Sequence, residues 1–210
     1  MGFKAVIFDA SGVTLSFEKI PYVVDLFKEL KKNPDDWKQF EDLELGIGHT
    51  KNSNHVFEKT FAANPHFKQK TLEVMKNESY FSLFDNMVED KYIAAVLPKL
   101  KNAGLKTCML TNNMFRDETR TEVYVPETVL QKFDAVVVSC RDRCRKPNKD
   151  CFELACKRLG VELNECIFID DFPENCEGAR KFGITAIQVH GTDTLGAVKE
   201  LEKLLGLKLL

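Results

Sequence analysis

The sequence lacks the short signatures that most often announce an activity. It has no Gly-x-Gly-x-x-Gly dinucleotide fingerprint and no Walker-type phosphate loop. No Gly-x-Ser-x-Gly elbow is present, so a serine-hydrolase reading has no anchor. The histidines are His49, His55, His66 and His190, and none has metal-ligand spacing such as His-Glu-x-x-His. No apolar run is long enough to span a bilayer. The formal net charge of -2 over 210 residues supplies no broad attraction to nucleic acid or anionic membrane, so neither is expected as a partner.

Cysteine is present but unpatterned. The seven cysteines are an odd number and include no Cys-x-x-Cys pair, which argues against a disulfide framework. Cys140, Cys144, Cys151 and Cys156 match no zinc spacing and read as reduced, partly buried thiols. The start, Met1-Gly2-Phe3-Lys4, leads straight into an apolar run with no room for a leader, so a cytoplasmic protein is expected.

What is there begins at that run. Phe3 to Phe8 is short, aromatic and β-branched, and it ends in Asp9 with Gly12 three residues on. This predicts a buried strand delivering a carboxylate to its C-terminal end, where open α/β sheets place their ligands. From Ser16 to Val88 no strand-like run follows. Helical stripes are predicted over Ile20–Leu30, over Trp37–Leu45 behind Asp35-Asp36, over His55–Ala63 and over Lys68–Lys76, with Asn33-Pro34 and Asn64-Pro65 as separators.

From Glu89 helices and strands alternate. Asp90 is a candidate cap for a helix reaching Leu100, with Pro98 marking a kink or a boundary. Strands are predicted over Leu105–Leu110, Ala135–Ser139, Cys166–Ile169 and Thr185–Val189. Helices are predicted over Lys149–Leu159, Asn175–Phe182 and Thr194–Leu205. Five buried strands separated by helices give an α/β fold: a Rossmann-like parallel sheet with helices on both faces. A helical cap is inserted after the first strand. The expected domains are a core of residues 1–15 and 89–210 and a cap of residues 16–88.

Three polar groups fall at predicted strand ends or helix starts. Asp9, Asp170 and Asp171 can converge at one sheet edge, where clustered carboxylates need a cation or raised pKa values, and an open all-oxygen cluster suits Mg²⁺. Either member of the Asp170-Asp171 pair could instead cap the helix that follows. Thr111-Asn112 supplies a hydroxyl and an amide for phosphate oxygens, or is an ordinary turn. Lys146 before Pro147 could neutralise a phosphate or a nucleophilic carboxylate, or belong to a solvated basic loop with Arg141, Arg143 and Arg145.

The ordered set Phe8-Asp9-Ala10-Ser11-Gly12-Val13, Leu110-Thr111-Asn112, Arg145-Lys146-Pro147 and Ile169-Asp170-Asp171 resembles the four-part pattern of the haloacid dehalogenase superfamily of hydrolases. More narrowly, Ser139-Cys140, Lys146-Pro147, Phe168-Ile169-Asp170-Asp171, Asn175 and Thr192-Asp193-Thr194 resemble two groups within it. These are the N-terminal phosphatase domains of soluble epoxide hydrolases and the related domains of acyl-CoA dehydrogenase fusion proteins. The chain ends at Leu210, where such a domain would end, so epoxide hydrolysis is not expected.

The resemblance implies a phosphatase of a small phosphorylated metabolite. It makes Asp9 the nucleophile of an aspartyl-phosphate and assigns phosphoryl oxygens to Thr111 and Asn112, with Lys146 offsetting charge. Mg²⁺ is implied at Asp9, at the Ser11 carbonyl and at Asp171, with Asp170 supporting, and Asn175 lines the site. Family phosphatases usually carry an aspartate where this chain has Ser11, and that group serves as acid and base. Its loss typically costs ~10²–10⁴-fold. A phosphate- and metal-binding protein without turnover is the alternative, and a metal-free dehalogenase stands behind both.

Overall fold

The computed structural model describes residues 2–210; Met1, and with it the first residue of the expected core domain, lies outside the described residues. Strand β1 (Ala5–Phe8) is wholly buried and leads to a two-residue strand β2 (Leu15–Ser16). Helices α1 (Val23–Lys31), α2 (Pro34–Glu44), α3 (Glu58–Ala63) and α4 (Pro65–Val74) follow. Strand β3 (Val88–Glu89) returns antiparallel to β2, so a two-residue ladder closes the base of this helical insertion. The chain continues through α5 (Lys91–Asn102), β4 (Lys106–Thr111), α6 (Glu127–Leu130), β5 (Ala135–Val138), α7 (Ser139–Asp142) and α8 (Lys149–Leu159). It ends with β6 (Cys166–Asp170), α9 (Pro173–Lys181), β7 (Thr185–Gln188) and α10 (Thr194–Leu205).

The large sheet is parallel throughout, in the order β5-β4-β1-β6-β7. Strand β1 is its centre. Alternate residues feed two cores, as the two-residue period of a strand requires. Val6 and Phe8 pack with Ile93, Val96 and Leu97 of α5 and Val198 and Leu201 of α10. Ala5 and Ile7 pack on the other face with Phe152 and Ala155 of α8 and Cys176 and Ala179 of α9. Fully burying a side chain the size of Phe8 contributes about 2–3 kcal/mol, so the strand that presents Asp9 is anchored on both faces. The insertion has its own apolar cluster, rich in phenylalanine (Phe17, Phe40, Phe57, Phe61, Phe67, Phe81), which also takes in Met114 and Tyr124 from the loop after β4.

The α/β expectation holds, with corrections at element ends. Pro34 and Pro65 open helices instead of separating them, because a proline at the first helical position gives up an N–H that has no partner there anyway. Pro98 neither ends nor divides α5, which stays helical because Ile93, Val96, Leu97 and Leu100 bury one face of it. Asp90 caps α5 as expected, its Oδ1 accepting from the Tyr92 and Ile93 amides at 2.9 and 3.0 Å. Ser139 begins α7 instead of ending β5. All seven cysteines are free and buried. Among the described residues no helix is long and apolar enough to cross a membrane.

Candidate active site

Asp9 leaves β1 at the C-terminal edge of the sheet, between the ends of β4 and β6. Its amide donates to the Ile169 carbonyl at 2.9 Å, so the backbone stays in register with β6 up to the carboxylate itself. The side chain is buried. Its Oδ1 accepts from the Ala10 amide at 2.6 Å and lies 2.6 Å from the Lys146 ammonium. The Thr14 hydroxyl donates to the Asp9 carbonyl at 2.7 Å and ties down the far side of the loop.

Lys146 is 1% exposed and reaches a second carboxylate, Asp170 Oδ2, at 2.7 Å. Burial alone would favour its neutral form, but the charges of Asp170 and Asp9 outweigh that and hold the ammonium firmly protonated. Its backbone is clamped by Asn112. The Lys146 amide donates to Asn112 Oδ1 at 2.9 Å, and Asn112 Nδ2 donates to the Lys146 carbonyl at 3.1 Å. The Lys146–Pro147 peptide is cis. Gly178 of α9 lets that helix close on Pro147, since a Cβ there would lie 2.6 Å from the proline's Cβ.

The acidic pair divides its work. Both Asp170 oxygens are engaged: Oδ1 accepts from the Phe172 amide (2.8 Å) and Asn175 Nδ2 (3.0 Å), and Oδ2 accepts from Lys146 and Asn175. Asp171 is the reverse. Its Oδ1 is buried without a hydrogen-bond partner, one of two such side-chain atoms among the described residues. Gly12, at φ +82°, makes room for its other oxygen. One oxygen from each of Asp9, Asp170 and Asp171 lies within 4.8 Å of the others.

The electrostatics follow from this crowding. Burial pushes the Asp9 carboxyl up to about 7, against the pull of Lys146 and with the repulsion of Asp170. Asp171 is held well above the usual carboxylate range by burial, then by the charges of Asp170 and Asp9. An orphaned carboxylate oxygen beside a second carboxylate of raised pKa is a donor set that suits a cation. Hard oxygen ligands fit Mg²⁺, so the residues present fit the metal that the resemblance implies. In the loop after β1 the backbone donors Val13, Leu15 and Gly12 go to Ala10 and Leu15, which leaves the Ser11 carbonyl without a donor among the described residues.

A cavity of about 420 Å³ opens over Asp9. Asp9, Ser11, Asn112, Lys146 and Asn175 line its floor. Phe17, Phe27, Trp37, Phe40 and Phe84 of the insertion line its walls, with Phe172 from the core. Three ion pairs tie insertion to core beside it. Arg145 grips Glu44 (2.6 Å) and Glu41 (2.9 Å) of α2, and Lys31 of α1 reaches Glu174 of α9 at 3.0 Å.

Asp9, Lys146, Asp170, Asp171 and Asn175, singled out in the sequence, therefore come together. Asn112 is present with both side-chain functions already used. Thr111 is the last residue of β4, buried, with its hydroxyl 3.4 Å from the Asn112 carbonyl, and it does not line the cavity. Ser11 lines the cavity, and its hydroxyl donates to Met87 Sδ at 3.5 Å. Sequence reasoning missed Met87, the Gly12–Asp171 fit and the glutamates that hold Arg145. The first two depend on chain segments far apart, and only the left-handed turn that Gly12 permits was open to a reader of the motif.

Residues 3–183 match the family model for haloacid dehalogenase-like hydrolases, and the chain belongs to this family. Among its relatives is bifunctional epoxide hydrolase 2 of Sus scrofa, 32% identical over 145 residues, covering 66% of this chain and 26% of that protein. The chain thus spans about a quarter of the length of that relative. The sesquiterpene phosphatase astK of Aspergillus oryzae is 27% identical over 97% of both chains. A solved structure of similar fold is a HAD family enzyme from Bacteroides thetaiotaomicron in complex with magnesium and inorganic phosphate. It has a TM-score of 0.57 at 16% identity and covers 91% of this chain and 96% of that one.

Proposed function

We propose that this hydrolase is a magnesium-dependent phosphatase that transfers the phosphoryl group of a small, largely apolar phosphorylated molecule to Asp9. The observation that carries the proposal is the arrangement around Asp9: an ammonium at 2.6 Å, and an oxygen of Asp171, whose Oδ1 is buried without a partner, within 4.8 Å. The full-length similarity to a named phosphatase supports the reaction class. The fold neighbour with magnesium and phosphate supports the metal. The phenylalanine-rich cavity walls support an apolar substrate body.

In this reading residues 16–88 act as the cap and residues 1–15 and 89–210 as the core. Asp9, Asp171 and the Ser11 carbonyl would hold Mg²⁺, which would offset negative charge on carboxylate and phosphate. The Asp9 carboxylate attacks phosphorus, and its oxygen bonded to Ala10 and Lys146 is held still while the other is free to react. Lys146 balances charge on the transferring group. Asp170, its oxygens fully used, and Asn175 behind it orient Lys146. Asn112 fixes the loop that carries Lys146, and Thr111 anchors the end of β4 beneath it. Water then attacks the aspartyl-phosphate and releases inorganic phosphate.

The test is hydrolysis of p-nitrophenyl phosphate. Activity should vanish on chelation, return with Mg²⁺, and fall at least ~10³-fold in Asp9→Asn, as expected when a nucleophile is removed. Equal activity in Asp9→Asn and the native chain would contradict the proposal.

A further inference from the structure

We infer that Asn113 determines specificity: its side-chain nitrogen donates to an uncharged oxygen, a carbonyl or a hydroxyl, on the apolar body of the phosphorylated substrate. The inference rests on the phosphatase reading above and deepens it. The substrate class it names is oxygenated apolar phosphates, as against pure hydrocarbon phosphates.

Asn113 follows Asn112 in the loop after β4 and is only 3% exposed. All but one of its polar groups are engaged. Its backbone amide donates to Ser139 Oγ at 2.8 Å, and that hydroxyl donates back to the Asn113 carbonyl at 3.1 Å. Its side-chain Oδ1 accepts from the Met114 and Tyr124 amides at 2.9 and 3.0 Å. A backbone N–H can only donate, so the oxygen must face those two amides and the NH₂ must point the other way. Nδ2 itself has no hydrogen-bond partner among the described residues. Nor is it sealed in: the side-chain atoms that are both sealed and partnerless are His49 Nδ1 and Asp171 Oδ1. Asn113 lines the cavity over Asp9, so Nδ2 opens into it.

This donor is set in an apolar wall. Met114 and Tyr124, whose amides fix it, belong to the phenylalanine-rich cluster of the insertion, and the Tyr124 ring packs 5.5 Å from that of Phe84. The other polar groups of the walls are engaged. The Tyr124 hydroxyl is bound to Thr50 Oγ1 at 2.6 Å, Arg145 faces Glu41 and Glu44, and Lys31 faces Glu174. A charged phosphoryl oxygen placed at Asn113 would exchange its water for one neutral donor, which is unfavourable. Lys146, beside Asp9, is the group that suits such an oxygen. A ketone or hydroxyl oxygen needs only the one bond that Nδ2 offers. Single polar groups of this kind in an apolar cavity fix the orientation of a ligand.

The same bond selects among substrates. A hydrocarbon body laid over Nδ2 strips its water and returns nothing, and a buried donor left unpaired typically costs ~10–10²-fold in affinity. A site that hydrogen-bonds a substrate group rejects the analogue lacking it more strongly than an apolar pocket rejects a missing methylene. No bond is made or broken at Asn113. It acts on which body is accepted, not on the transfer to Asp9.

The test uses phenyl phosphates carrying an acetyl, a 1-hydroxyethyl or an isopropyl group at the ortho, meta or para position, run with Mg²⁺. The three groups have one shape: the ketone only accepts, the hydroxyl accepts and donates, and isopropyl does neither. The ring positions sweep the oxygen across the cavity. In the native chain, kcat/KM for the 1-hydroxyethyl compound should exceed that for its isopropyl partner by ~10-fold or more in at least one position, although it is the less apolar of the two. Asn113→Asp keeps an acceptor for the Met114 and Tyr124 amides and turns the free donor into an acceptor. In that variant the ratio of acetyl to 1-hydroxyethyl at the same position should fall ~10-fold or more, because the hydroxyl can donate to the new oxygen and the ketone cannot. Comparing ratios between chains cancels the reactivity of the leaving groups, and the native preference stands as a measure even if the variant does not fold. Hydrolysis by the native chain with no preference for oxygen at any position would overturn this inference and leave the phosphatase reading standing. So would an equal loss on every compound in Asn113→Asp with unchanged ratios, which would assign Asn113 to the phosphoryl group or to the loop alone. No hydrolysis of any compound by the native chain would overturn both.

Discussion

Gly12 and Asp171 occupy one space. At φ +82° the glycine presents its Cα to the Asp171 carboxylate, and a Cβ at that position would press into the carboxylate itself. The turn after β1 and the residue after β6 are thereby shaped against each other, and one oxygen of Asp171 is held within 4.8 Å of one of Asp9. Gly12→Ala should displace Asp171 and strain the backbone. Mg²⁺ affinity measured by calorimetry is expected to fall at least ~10-fold, with a stability loss of about 1–3 kcal/mol by urea denaturation.

Metal binding should depend on pH with a definite sign. Burial raises both Asp9 and Asp171 above the usual carboxylate range in the metal-free site, Asp9 to about 7. The metal needs both ionised, so Mg²⁺ displaces protons. Affinity should rise as pH rises through about 7, and Mg²⁺ titration in weakly buffered solution at pH 6 should release protons. Proton uptake, or an affinity independent of pH from 5.5 to 8, would contradict the assignment.

Lys146 neutralises two buried carboxylates, so its loss should destabilise as well as inactivate. Breaking a buried ion pair typically costs about 3–5 kcal/mol. In Lys146→Met the abandoned Asp9 gains affinity for protons in the folded state, because the Lys146 charge that held its carboxyl down is gone. A carboxyl whose folded pKa is raised supports folding below its unfolded pKa and stops doing so as pH rises through the folded one. The gap in Tm between native and variant chains should therefore be wider at pH 8 than at pH 5.

Arg145 and Glu44 join the core to the insertion next to Lys146. Glu44 is buried, and burial raises its carboxyl despite the Arg145 charge, so the arginine is what makes its ionised form tolerable. Arg145→Met should loosen α2, read as faster hydrogen exchange across Pro34–Glu44, and lose about 3–5 kcal/mol. Arg145→Lys should recover only part of this, because a lysine cannot reproduce the two-nitrogen grip on Glu44.

Asp90→Ala separates stability from chemistry. Its carboxylate caps α5 through the Tyr92 and Ile93 amides, away from the cavity. The variant should lose about 1 kcal/mol of stability and keep its kcat.

The legible parts of this molecule were those written locally. The apolar run into Asp9 and the β-branched run over Ala135–Val138 specify strands by composition, and the helices Lys149–Leu159 and Thr194–Leu205 are closed by glycines Gly160 and Gly206 in left-handed conformation. Proline was read less well, since the same residue separates or starts a helix depending on which side its missing N–H falls. The carboxylates were identifiable as a set, but their division of labour was not. Whether Asp170 or Asp171 is free depends on Asn175, Phe172 and Lys146 arriving from other elements. The contact of Ser11 with Met87 joins residues 76 positions apart and leaves no mark in either segment.

The central claim is that Asp9 is the phosphoryl acceptor. The most direct measurement is rapid acid quench of the native chain with Mg²⁺ and benzoyl phosphate, followed by peptide mass spectrometry. One phosphoryl group is expected on the peptide containing Asp9, lost on treatment with hydroxylamine and absent in Asp9→Asn. Turnover with no modified Asp9 peptide, or a phosphoryl group on any other residue, would contradict the account.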